Sequence, residues 1–187
     1  SGVAVLLELA RMISENPPLH AGVDMILFDG EDWGEKEYEA HTVAVEEPWE
    51  DWWCLGSQYW ARNKHRPGYS AYYGILVDMV GGKGARFYRE GVSLQYAPQI
   101  VEKVWSAADE AGYSDYFVRQ NVASVTDDHV FVNRLAKIPM IDIVPYHPSS
   151  GFFGSFHHTT KDNLDIISKE TLKAVGQTVV LVIYNED

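Results

Sequence analysis

The chain has 187 residues, 46% apolar and 22% charged, the composition of one globular domain; this excludes a disordered chain. A net charge of −12 argues against nucleic acid and anionic membranes as partners, and no apolar run approaches the roughly 20 residues of a membrane-spanning helix. The lone cysteine, Cys54, excludes an intrachain disulfide; among aromatics and without electropositive neighbours it reads as a buried structural thiol.

Residues 2–14 form an apolar helix that ends before Asn16-Pro17-Pro18. Ser1-Gly2 enters that helix with no lead-in, Met or signal peptide, so the chain reads as cut from a longer protein. Val23–Phe28 is expected to be a buried strand that stops at the polar turn Asp29-Gly30-Glu31-Asp32. Residues 33–53 form a long acidic, aromatic loop of the kind that usually carries function. A helix over Gly56–Asn63 follows, then a second buried strand, Tyr72–Val77, which also ends in an acid, Asp78. Gly81-Gly82-Lys83-Gly84 lacks the ending of a phosphate loop and reads as a strand link. Arg86–Tyr88 reads as a short strand. Periodicity predicts one helix over 93–111, with Gly112 just past its end. A short helix over 129–136 and a third buried strand, Ile138–Val144, come next. A loop over 145–156 then leads to His157-His158, and Ser168 caps a last helix, 169–184. This alternation means α/β, and continuous apolar strands mean a mostly parallel sheet with helices on both faces.

In open α/β sheets ligands bind beyond the carboxyl ends of the strands. Two strands end there in acids, Glu31-Asp32 and Asp78. The third strand is preceded by Asp127-Asp128-His129 and followed by the loop that delivers His158. Taken alone, the acid pair is more commonly a solvated turn, His158 a structural histidine and Asp78 a cap. Their convergence on one edge is what zinc requires, oxygen and imidazole ligands with one position open. Of two adjacent carboxylates, one can bind metal while the other moves protons.

Several segments resemble the zinc aminopeptidase superfamily that includes the glutaminyl cyclases. They are Ser1–Glu8, Phe28–Asp32, Leu55-Gly56-Ser57, Val77–Gly81, Asp127-Asp128-His129 and His158–Asp162, in the family's order. The resemblance is nearest to bacterial glutaminyl cyclases of the animal type. It implies a three-layer sandwich of the zinc exopeptidase type lacking its first strands, as a single but incomplete catalytic domain over 1–187. It implies Glu31 as general base, with Asp32 and His158 as metal ligands. Asp78 is a second-metal ligand in the two-zinc peptidases and a hydrogen-bonding acid in the cyclases, with Asp127 or Asp128 in the same proton network. One zinc is expected and two are open, because an acidic ligand that the family places before the Ser-Gly step lies outside this chain. The chain is accordingly expected to be a fragment that supplies two of the three ligands of a single-zinc site. Its partners would be a peptide with a free amino terminus, and the missing segment or another copy. The family leans towards export, to a periplasm or beyond.

The implied activity is cyclisation of an amino-terminal glutamine with loss of ammonia. An aminopeptidase and a non-catalytic domain that keeps the fold are the alternatives. Trp52 and Trp53, in the segment Pro48–Ser57, are expected either to wall an aromatic substrate pocket or to pack the core beneath a loop. The cyclases usually have Trp directly before the ligand histidine; here His157 stands at that substrate-pocket position, its ring expected to face solvent. His20, His41, His65 and His147 are expected in loops without ligand roles. His129 is expected to anchor its helix, and Asp162 to orient the His158 loop.

Overall fold

Gly2 fixes the seat of the first helix, because a side chain there would collide with the Val77 carbonyl, 1.9 Å from an ideal Cβ. That close approach seats helix α1 (Gly2–Glu15) directly against the end of strand β1 (Gly74–Val77). The computed structural model describes residues 1–18, 20–32, 53–149 and 153–186. After α1 and α2 (Leu55–Arg62) come β1, β2 (Phe87–Arg89), α3 (Gly91–Tyr96), α4 (Pro98–Glu110) and β3 (Phe117–Asn121). The chain continues with α5 (Asp128–Phe131), which runs into a π-helical turn (Val132–Ala136), then β4 (Met140–Ile143) and α6 (Lys169–Tyr184).

Both strand pairs are parallel. β1 lies beside β4 in the register Gly74–Met140 to Val77–Ile143, and β2 lies beside β3; an antiparallel bridge from Phe87 to Pro145 joins the two pairs. Strand alternation splits the faces of the β1–β4 pair. Ile141 and Ile143 point into the main core with Val5, Leu9, Val104, Trp105, Val175 and Val179, from helices α1, α4 and α6. Met140 points the other way, to Ala61 of α2 and Val132 of the π turn. Helices therefore cover both faces, as an α/β layer architecture requires. Trp105 and Phe117, 5.4 Å apart, and Phe87, 5.1 Å from Phe117, fill the deepest part of the core. Ser168 caps α6 as expected, its hydroxyl accepting from the Thr171 N–H at 3.2 Å. No helix among the described residues is long and apolar enough to cross a membrane.

Three expectations are corrected. Val23–Phe28 joins no sheet among the described residues; Val23 and Leu27 are exposed, and the segment stands off from β1 across a cleft of about 300 Å³ lined by both. Apolar β-formers make a strand only when a neighbour completes the ladder. The helix expected over 93–111 is two helices, because Pro98 has no N–H and drives Ala97 out of the helical region, to φ −142. The helix expected over 129–136 starts at Asp128 and widens to π geometry, where Asn133 turns its side chain to the Met140 N–H and carbonyl. β3 was not foreseen: Phe117-Val118-Arg119-Gln120-Asn121 is mostly polar and carries no buried alternation.

Candidate active site and metal centre

The turn that carries the acid pair is laced onto the first turn of α2. The Cys54, Leu55 and Gly56 N–H groups donate to the Glu31, Gly30 and Asp29 carbonyls at 3.0, 3.1 and 2.9 Å. Gly30 takes φ +60, and an ideal Cβ on Gly56 would lie 2.3 Å from the Asp29 carbonyl, so the Leu-Gly-Ser step is what lets the helix come this close. Asp78 follows β1 directly, its N–H donating to Ile143 at 3.2 Å. Asp127 and Asp128 open α5, where the Asp127 carboxylate accepts from the Asp128 N–H at 2.6 Å. His158 sits on the turn after the Phe153 segment with a left-handed φ of 56, a strained setting for a non-glycine residue.

The fold brings the expected residues together. Glu31, Asp32, Asp78, Asp127, His157 and His158 line one cavity of about 180 Å³, and Asp128 joins Glu31, Asp78 and Asp127 on the cleft behind. The His158 Nε2 and Asp32 Oδ1 are 2.7 Å apart. Tetrahedral zinc ligands at roughly 2.0–2.2 Å from the ion stand about 3.3–3.6 Å from each other, so the pair would open by about 0.6–0.9 Å to admit the ion. One carboxylate oxygen and one imidazole nitrogen in direct contact thus fit zinc as two of its ligands. Among the described residues no third His, Cys, Asp or Glu joins that pair at ligand spacing.

The opposite wall is acidic and dry. One ligand atom each of Glu31, Cys54 and Asp127 lies within 4.8 Å of the others. Burial pushes the Glu31 carboxyl up to about 8, with help from the carboxylates of Asp32, Asp78 and Asp128. Burial likewise raises Asp78 to about 6, against the Met79 N–H, and holds Asp127 well above the usual carboxylate range. A carboxyl tuned to near neutrality in a cleft is what a proton-transferring group needs.

Chelated, metal-free protein is expected to lose stability as pH rises from about 4 to about 8. In that window the native carboxyls of Glu31, Asp78 and Asp127 hold protons that the unfolded chain has released. Asp78 alone contributes a slope of about 1.4 kcal/mol per pH unit up to about 6. Urea unfolding at four pH values checks this, and a flat or rising profile contradicts it.

The ring of Trp53 stacks parallel to His158, with centroids 6.3 Å apart and planes within 7°. Trp53 thus stands beside His158 while it packs against the core residues Cys54, Val92, Val130 and Phe131; Trp52, His41 and most of the loop over 33–53 lie outside the described residues. His157 corrects an expectation. It is half-buried, stacked 3.8 Å from His158 and 4.7 Å from Phe153, rather than turned to solvent. Burial, then the neighbouring His158, lowers its pKa. Of the other histidines, His20 and His147 are exposed; His65 lies outside the site, against Trp60 and Tyr69. Asp162 closes the turn after His158, its N–H donating to Thr159 at 3.1 Å, and lines the same cavity.

Sequence reasoning placed Cys54 in the interior but not in the site. It is 1% exposed, and burial, then Asp128, Asp127 and Glu31, push its thiol up, so it stays a neutral thiol against the acids. The Ser57 hydroxyl lies 2.9 Å from the Cys54 carbonyl and also serves the Asp128 carboxylate.

Residues 1–183 match the model of peptidase family M28. The chain belongs to peptidase family M28. Three solved structures are similar to it over its whole length. Bacteroides thetaiotaomicron glutaminyl cyclase bound to N-acetylhistamine is 50% identical, with a TM-score of 0.91 over 100% of this chain and 62% of that one. A leucine aminopeptidase precursor from Bacteroides thetaiotaomicron is 49% identical, with a TM-score of 0.90 over 100% and 61%. A Zn-dependent exopeptidase from Parabacteroides distasonis is 51% identical, with a TM-score of 0.90 over 100% and 62%. Comparison with curated proteins gives no match. This M28 chain thus spans about 62% of the length of the structures it matches.

Proposed function

We propose that the protein is a zinc-dependent glutaminyl-peptide cyclotransferase, with Glu31 as its general base and Asp32 and His158 as zinc ligands. The observation that carries this reading is Glu31 itself. Its carboxyl is raised towards neutrality in a buried acid cluster and sits beside Asp32, which touches the imidazole of His158. Likeness to a glutaminyl cyclase at 50% identity supports the choice of reaction.

When bound, zinc would polarise the side-chain amide carbonyl of an amino-terminal glutamine. Glu31 takes a proton from the substrate's α-amine as that nitrogen bonds to the amide carbon. Glu31 then returns the proton to the departing amide nitrogen as its bond to carbon breaks, and ammonia leaves. No water is consumed, and the two reacting groups belong to one residue, so positioning supplies much of the rate. Burial, then the carboxylates of Asp32, Asp78 and Asp128, keep Glu31 basic enough to accept the proton. The Trp53 ring holds the His158 plane and excludes water from that side.

Likeness at 49% to a leucine aminopeptidase precursor favours a second reading, in which Glu31 deprotonates a water that attacks the first peptide bond. Assaying the intact protein with a glutaminyl peptide and with aminoacyl amides, before and after chelation, separates the two. Ammonia with a cyclised peptide supports the cyclase, a freed amino acid supports the peptidase, and chelation is expected to stop either.

A further inference from the structure

Glu90 follows β2 and caps α3, and it is 1% exposed. A helix cap needs one short acceptor side chain, and Ser or Asp supplies it. A wholly buried glutamate is a costly choice unless every lone pair it buries is used. Glu90 uses them on two separate segments. Within α3, Oε2 accepts from the Val92 N–H at 2.7 Å and Oε1 accepts from the Ser93 N–H. Across the chain, Oε2 accepts from the Val125 N–H at 3.2 Å, and Oε1 lies 3.2 Å from Nε2 of His129. These last two partners flank Asp127 and Asp128 in sequence.

The surroundings leave that turn little freedom. His129 is wholly buried, and Asn133 donates to its carbonyl at 2.8 Å. On the other side of the imidazole, Nδ1 stands 3.9 Å from the buried Asp142, whose N–H donates to the Ser93 hydroxyl at 2.9 Å. The end of β2 is zipped to the same segment by the Val122 N–H on the Arg89 carbonyl at 3.0 Å. Burial raises Glu90, yet the bonds from His129 and Ser93 hold it below the usual carboxylate range, so it stays an ionised clamp.

We infer that Glu90 is a positioning residue: through His129 and the Val125 backbone it fixes the Asp127–Asp128 turn against Glu31. The inference rests on Glu31 being the general base. Catalytic groups must be held to within about 0.5 Å, and this clamp joins α3 and the acid turn at one side chain.

Two measurements test it on the intact zinc-loaded protein. Glu90→Gln keeps the shape and one acceptor but turns an N–H₂ towards a donor, so one arm of the clamp opens. Its kcat per folded molecule is expected to fall at least about 10-fold, with KM within twofold and zinc content unchanged. Val182→Ala, a core truncation in α6, lowers the melting temperature without lowering kcat and so controls for lost stability. If Glu90→Gln does not fold, His129→Leu opens the same arm while leaving the α3 cap, and the same kcat loss is expected. Turnover within twofold of wild type overturns the inference. A crystal structure of the variant decides independently of activity: the Glu31 and Asp127 carboxylates, now within 4.8 Å, are expected to part. An unchanged cluster overturns the inference even if the cyclase reading stands. If wild type shows no turnover, the cyclase reading fails and this distance still decides the clamp.

Discussion

Glu31→Gln is expected to lower kcat by about 10³-fold or more while zinc stays bound. The amide matches the carboxyl in size but cannot take a proton, and a positioned general base contributes about 10²–10⁴-fold. The structure puts this effect towards the upper end. Glu31 is half-buried and its carboxyl is raised to about 8, whereas Asp78, the neighbouring acid of the same cavity, is raised only to about 6. KM should move little, because the base gains its partner only as the amine loses its proton. The same substitution removes one raised carboxyl from the acid cluster, so metal-free Glu31→Gln should be more stable than wild type at pH 8 and show a shallower loss with pH. Steady-state kinetics with metal analysis and a parallel urea titration check both halves. Retained turnover would show that Glu31 is not the base.

His158→Ala is expected to weaken zinc binding by about 10²–10³-fold. Four ligands share roughly 10–16 kcal/mol in structural zinc sites, so one ligand carries about 3–4 kcal/mol. Asp32, left with its Oδ1 facing an empty position 2.7 Å away, cannot reach further to compensate, because the Asp29–Glu31 turn before it is tied to α2. Competition against a chromogenic chelator measures the change. An affinity within threefold of wild type would remove His158 from the ligand set. The strained φ of His158 makes a second observation accessible: glycine carries no Cβ penalty there, so metal-free His158→Gly should unfold no more easily than metal-free wild type.

What the sequence disclosed depended on whether a signal was local. Glu31, Asp32 and Asp78 were legible because each ends a run of apolar β-formers, and the Leu-Gly-Ser step through the motif that resembles the superfamily; the structure adds its reason, that a Cβ on Gly56 would strike Asp29. His158 was legible as the imidazole on the loop after the third strand, but its contact with Asp32 spans 126 residues and no periodicity foretells it. Val23–Phe28 misled because hydropathy does not report whether a strand has a neighbour to pair with. Pro98 was in plain view and should have divided the long helix. Glu90 left no mark, since a cap looks ordinary in one dimension, and Cys54 was legible as a buried thiol but not as a neighbour of the acids. Asp142 did leave one: an acid at the centre of the apolar strand β4, fully buried, with neither carboxylate oxygen accepting a hydrogen bond among the described residues. An ionisable residue inside a core strand is itself a pointer to a site.

The central claim is that Glu31 moves a proton between two nitrogens of one substrate residue, with no water as nucleophile. Turnover of a glutaminyl peptide by the zinc-loaded protein in water enriched in heavy oxygen reads this directly by mass spectrometry. The expected result is a peptide lighter by one ammonia and carrying no heavy oxygen. Free glutamine labelled in its carboxylate would contradict it and assign this M28 site to hydrolysis.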